Sequence, residues 1–161
     1  MTHTSGELAA FHQLALAFCA WCESDACNAL AGRQAAQWLA RLHAAALDLP
    51  ETGPENDWGL PELPSTELAA AERNLRSLFG WYYRTVFDPE PTNTDEPVMG
   101  DVGDDLLDTY KDLKAGNQLV EQGRVADALW HWSFMHRIHW GKHAVGALAA
   151  LYAELRRDDS A

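Results

Sequence analysis

The sequence predicts an all-α fold, a single-domain bundle of five or six helices. Three observations carry that prediction. Apolar residues recur at three- and four-residue steps through most of the chain, the period of one helix face. No segment sustains two-residue alternation. Two loops, about 50–64 and 88–100, rich in Pro with Gly, Asp and Asn, punctuate the helical segments. With 161 residues, the chain reads as one domain over 1–161 with its core over about 7–156. A domain of this size buries roughly 70% of the surface its unfolded chain exposes.

The first helix is expected from Glu7 to about Asn28, with Leu8, Phe11, Leu14, Ala15, Phe18, Cys22 and Ala26 on its buried face. The second runs from Gly32 or Arg33 to Leu47, and Leu49-Pro50 ends it, because a residue before proline disfavours helical geometry. Trp58 and Leu60 are expected to pin the loop that follows. Ser65 is expected to cap the third helix, whose stripe is Leu68, Ala71, Leu75, Leu78 and Phe79, with Gly80 as an interruption. A fourth helix begins near Asp101 to Asp104 and ends at Gln122-Gly123, with Gly116 as a weak point. A fifth starts near Val125 and reaches toward Arg156, with a kink or break at Trp140-Gly141.

Composition narrows the function classes. Hydrophobic residues make up 47% of the chain and charged ones 22%, which is globular rather than disordered. A formal charge of −12 without a Lys/Arg cluster disfavours nucleic acid and anionic membrane surfaces and favours a basic protein partner or a cation. No apolar run is long enough to span a bilayer, and the first residues lack the positive start of a signal peptide. Cys19, Cys22 and Cys27 are odd in number and share one helical stretch, which fits a reducing cytoplasm and a structural role. A Cys-x-x-Cys redox motif belongs instead at a helix N-terminus after a strand.

Two segments stand out. Asp101, Asp105, Asp108 and Asp112 fall within an arc of about 60° on one helix face, with Asp104 beside them. One reading is a solvated face. The other is a cation-binding face, since like charges at this spacing repel and a merely soluble face is usually diluted with Lys. The string Asp104-Asp105-Leu106-Leu107-Asp108 also matches the DDxxD pattern of isoprenoid synthases, but the second acidic motif those enzymes need is missing. The second segment carries His136, His139 and His143 among Trp130, Trp132, Phe134 and Trp140. His139 and His143, four apart, have the spacing that lets two imidazoles share one metal. Trp140 stands where a zinc protease motif needs Glu, so that class is excluded. The alternative is a set of hydrogen-bonded core histidines that lock two helices together.

Residues Leu39 to His43 through Leu49-Pro50, the segment from Asp104-Asp105-Leu106 through Asp108, Tyr110 and Asp112 to Lys114, and Ala128, Trp130, Phe134 and His139-Trp140-Gly141 with His143-Ala144 resemble a bacterial family of unknown function, domain family 5063. The resemblance covers most of the chain up to Tyr152. It implies a small all-helical cytoplasmic protein with the Asp and His-Trp-Gly segments as its hallmark, and no activity. Thr109 stands where an aliphatic residue is more usual.

The candidate functional cluster is therefore Asp101, Asp104, Asp105, Asp108, Tyr110, Asp112, His136, His139, Trp140 and His143. Two functions compete. The favoured one is a non-catalytic interaction or accessory domain, whose Trp-rich segment could supply a homodimer face. The alternative is a metal-dependent hydrolase or metal-binding protein with Asp105, Asp108, His139 and His143 as ligands to a divalent metal and Asp104 or Asp112 as base. A small-molecule sensor with Trp-lined walls is not separable from the second.

Overall fold

The computed structural model describes residues 2–158, with side chains from Gly6 to Arg157. The fold is mostly helical. It runs α1 (Thr2–Ala20), α2 (Ala31–Leu47), α3 (Ser65–Asn74), a two-stranded hairpin of β1 (Tyr82–Thr85) and β2 (Val98–Asp101), then α4 (Val102–Glu121), α5 (Val125–Met135) and α6 (Gly141–Asp158). Residues 1 and 159–161, the ends of the expected domain range, lie outside the described residues.

Helix α4 is the axis. It packs against α1, α5 and α6 and touches α3, while α2 lies along α6. Contact on so many sides makes it an unusually buried helix: Leu106, Tyr110, Leu113 and Leu119 are in the core, and so are Asp105, Thr109 and Asn117. Thr109 satisfies its hydroxyl by donating to the Asp105 carbonyl at 2.8 Å, the back-bond a buried helical Thr can make where an aliphatic residue could not. Phe11, Phe18, Trp132 and Trp140 complete the core, with Trp132 donating to the Leu113 carbonyl and Trp140 to the Trp132 carbonyl, each at 3.2 Å.

Several expectations are corrected. The α-helical ladder of the first helix stops at Ala20 and gives way to a π-helical turn, Trp21–Asp25, where residues to Asn28 were expected to continue it. Of the cysteines expected to be structural, Cys19 and Cys22 are free thiols in the core, and the exposed Cys27 departs from that reading. Ser65 is the first residue of α3 and makes no cap; Pro64 precedes it, and its carbonyl accepts from the Leu68 amide at 3.0 Å. Trp58 and Leu60 are exposed and pin their loop little, Trp58 through the Arg124 guanidinium 5.5 Å from its ring centroid. The loop is held instead by Asp127 of α5, whose carboxylate accepts from the Glu55 and Asn56 amides at 2.8 and 3.0 Å. Burial opposes the charge on Asp127, but Arg124 at 2.9 Å and those amides hold its carboxyl down at about 2.

The hairpin is the main departure from an all-α reading. Its strands span four residues each, too short for alternation to register, and they pair antiparallel with Tyr83 opposite Gly100 and Tyr82 opposite Asp101. Asp101 ends β2 and caps α4 at once: its side chain accepts from the Gly103 and Asp104 amides at 2.9 and 3.3 Å and from Gly80 at 2.8 Å. The expected break after α5 is a π-helical turn, His136–Trp140. Gly141 allows it, because a Cβ there would stand 2.1 Å from the His136 carbonyl oxygen.

Gly116 is a contact point rather than a weak one. A Cβ at 116 would stand 1.9 Å from the Trp132 indole nitrogen, and Trp132 is fully buried. Gly116→Ala is expected to destabilise the fold by about 2 kcal/mol, overpacking outweighing the gain in helix propensity. Urea denaturation measures it; a stabilised variant would contradict this packing.

Candidate metal centre

The two hallmark segments meet. Asp105, Asp108 and Asp112 on α4 face His139, in the π-helical turn, and His143, in the first turn of α6. The contacts fall into two kinds. On the Nδ1 side, His139 donates to Asp112 Oδ2 at 2.7 Å and His143 to Asp105 Oδ1 at 2.6 Å. An ionised carboxylate can only accept, so each Nδ1 carries the proton, and in the neutral ring each Nε2 keeps its lone pair. On the Nε2 side, both rings turn toward one carboxylate: Asp108 Oδ2 lies 3.9 Å from each Nε2. One atom each from Asp108, His139 and His143 lie within 4.8 Å of one another.

Backbone and packing set these positions. On a regular helix, residues 105, 108 and 112 share a face, and here that face meets the π-helical turn and α6, with Asp108 left partly exposed. Asp105 is 3% exposed and gives its second oxygen to the Tyr83 hydroxyl. His139 and His143 lie edge to face, 4.9 Å between centroids. The Asp105 hydrogen bond raises the His143 pKa above its ordinary value, against the pull of burial. Burial pushes the Asp112 carboxyl up, partly countered by the His139 hydrogen bond. Burial likewise raises Asp104, with Asp108 and Asp105 adding to it. Lys111 lies 3.6 Å from the remaining carboxylate, Asp108.

The other members of the expected cluster are elsewhere. Asp101 is the α4 cap. Tyr110 lies in the core and donates to Glu23 Oε1 at 2.8 Å, where Lys114 also binds at 2.7 Å. Trp140 is fully buried packing. His136 points away to α2, 3.0 Å from His43 Nδ1. Asp104 is exposed beside a groove of about 350 Å3 that reaches His143 and is walled by Tyr82, Phe87 and Met99. The sequence reading missed Tyr83, for which no helical spacing offered a signal.

A family model described as a domain of unknown function (DUF5063) matches residues 2–156. The chain belongs to the DUF5063 family. Among solved structures it is similar to protein BF1032 from Bacteroides fragilis, with a TM-score of 0.69 and 19% identity over 91% of this chain and 93% of that one. At that identity the likeness shows the fold alone. No functionally curated protein matches this sequence. The matched range includes Asp105, Asp108, Asp112, His139 and His143, which build the Asp–His cluster. No helix among the described residues is long and apolar enough to cross a membrane.

His136 supplies a test of the non-metal histidines. Burial, aided by the neighbouring His43, pulls its pKa down to about 4. Between an unfolded value near 6.5 and that folded value, the unfolded chain binds more protons, so stability falls as pH drops through this window. His136→Gln is expected to flatten the stability profile between about pH 6.5 and pH 4. Chemical denaturation across that range measures the slope, and an unchanged slope would contradict the assignment.

Proposed function

We propose that this protein binds a divalent transition metal through Asp108 and the Nε2 atoms of His139 and His143, and that the bound metal is the centre of its activity. The observation that carries this reading is the division of contacts around the two imidazoles. Metal-ligating histidines characteristically give the other ring N–H to a carboxylate or carbonyl, which fixes tautomer and orientation. Here both rings are held that way, by Asp105 and Asp112, while both free nitrogens converge on a third donor. A helix lock would need the first set of contacts and not the second.

Ligands bound to zinc at about 2.0–2.2 Å lie roughly 3–3.5 Å apart, so Asp108 at 3.9 Å from each imidazole would close by up to about an ångström, within a set whose atoms all lie inside 4.8 Å. Two imidazoles and one carboxylate suit Zn2+, Mn2+ or Fe2+. The donor side chains are 35%, 20% and 23% exposed for His139, His143 and Asp108, so further coordination positions face water. A metal held this way supplies Lewis acidity and lowers the pKa of bound water, the basis of hydrolysis. Asp104, which lines the groove with His143, would be the carboxylate that accepts a proton there, since Asp112 is occupied with His139. The surrounding carboxylates disfavour anionic substrates. Asp105 changes role in this reading: it orients His143 rather than binding metal.

The competing interaction-domain reading rests on the acidic charge and predicts an exposed acidic face. Asp101, Asp105 and Asp112 are taken up by intramolecular donors, so the electrostatic part of that support is weaker.

Elemental analysis and isothermal titration of protein purified without a tag or chelator test the proposal. Near-stoichiometric binding of Zn2+, Mn2+ or Fe2+ is expected. Asp108→Asn and His139→Ala should abolish it, while Asp105→Asn should bind about 10- to 100-fold more weakly. Wild-type protein that binds none of the three ions would overturn the reading.

A further inference from the structure

Tyr83 reaches the site from outside the helical layer, and its route is unusually confined. It stands on β1 opposite Gly100 of β2, and its ring passes between that glycine and Gly146 of α6. A Cβ on Gly100 would lie 2.4 Å from the ring carbon that bears the hydroxyl, and one on Gly146 would lie 2.5 Å from the hydroxyl oxygen. Real Cβ contacts do not come so close, so any larger residue at either position would push the ring out. Gly146 sits inside α6, where glycine is disfavoured relative to alanine. The passage it leaves is therefore a feature with a local cost.

At the end of that passage the Tyr83 hydroxyl donates to Asp105, whose other oxygen holds His143 Nδ1. Burial, with the Asp105 hydrogen bond next in effect, raises the Tyr83 pKa far above its usual value, so the hydroxyl remains a donor. Without it, one oxygen of a carboxylate that is 3% exposed would lose its partner, and Asp105 would gain freedom to rotate away from His143. Tyr83 also walls two grooves. One is the groove beside His143, and the other lies between β1 and α6 with a volume of about 760 Å3.

We infer that Tyr83 is a positioning residue for the proposed metal centre, acting through Asp105 on His143, and that the β1–β2 hairpin is thereby coupled to metal binding. The inference rests on the metal reading above and deepens it. Coupling is reciprocal: what the hairpin contributes to metal affinity, bound metal returns as order in the hairpin. A ligand that displaces Tyr83 from the β1–α6 groove side would loosen the metal, which gives the site a route of control from outside its ligand shell.

The test uses the full chain and Co2+ as a visible probe, with Zn2+ competition to give affinities. Tyr83→Phe keeps the ring and removes the hydroxyl, and is expected to weaken metal binding about 10-fold. It should leave the far-ultraviolet circular dichroism of the metal-free protein unchanged. Gly146→Ala raises helix propensity yet blocks the passage, so it should also weaken binding while α6 stays intact. Hydrogen exchange at the β1 and β2 amides should slow on Co2+ addition in the wild type and not in Tyr83→Phe. Wild-type affinity in Tyr83→Phe, with metal-dependent protection of the hairpin retained, would overturn this inference and leave the metal centre standing. Wild-type protein that binds no Co2+ or Zn2+ would overturn both.

Discussion

A helix buried on most sides cannot carry ionised carboxylates without giving each of them donors, and that constraint organises this molecule. Helix α4 packs against α1, α5 and α6, yet it bears Asp105 and Asp112 on the face turned to α6. Desolvating a carboxylate is expensive unless hydrogen bonds compensate it. The π-helical turn and the start of α6 answer with His139 and His143, and the hairpin answers with Tyr83. Removing one member of such a set leaves the other buried and unpaired, which is why each pair binds its two elements firmly.

The same constraint explains the irregular backbone. An unbroken α-helix from Val125 to Arg156 would carry one continuous ladder past α4. The π-helical turn at His136–Trp140 changes the register between the two halves, so that Trp132 and Trp140 stay in the core while His139 and His143 face the aspartates. Turns of this kind recur at functional sites because they re-aim side chains that a regular helix would misplace. Glycine at 141 permits the turn, and glycine at 100, 116 and 146 permits close approach by Trp132 and Tyr83. The fold uses missing Cβ atoms to bring aromatic rings against backbone.

Under the proposed metal reading, these features go beyond what a plain structural lock needs. A lock is complete once Nδ1 of each imidazole has its carboxylate. Here the opposite nitrogens are left partly exposed and turned toward Asp108, with an aromatic-walled groove alongside. The orienting carboxylates lie deep and the converging donors lie shallow, the order an open metal site requires: rigid support inside, exchangeable positions outside.

By itself the sequence determined the helical class, the positions of the loops and most helix ends, because three- and four-residue periodicity and proline are local signals; its motifs carried the family resemblance. It also selected the two segments that meet, since carboxylates at 105, 108 and 112 and imidazoles at 139 and 143 share faces by spacing alone. Tertiary structure decided which atom meets which. Asp105 and Asp108 stand at opposite edges of one arc on a helical wheel, and only the packing of α4 against α6 gives one to Nδ1 and the other to Nε2 of His143. Tyr110 and His136 share the cluster's segments but not its place, because they leave their helices in other directions, toward Glu23 and His43. Tyr83 was invisible beforehand: a hydroxyl that arrives across a hairpin, through a gap between two glycines on separate elements, has no period in the sequence.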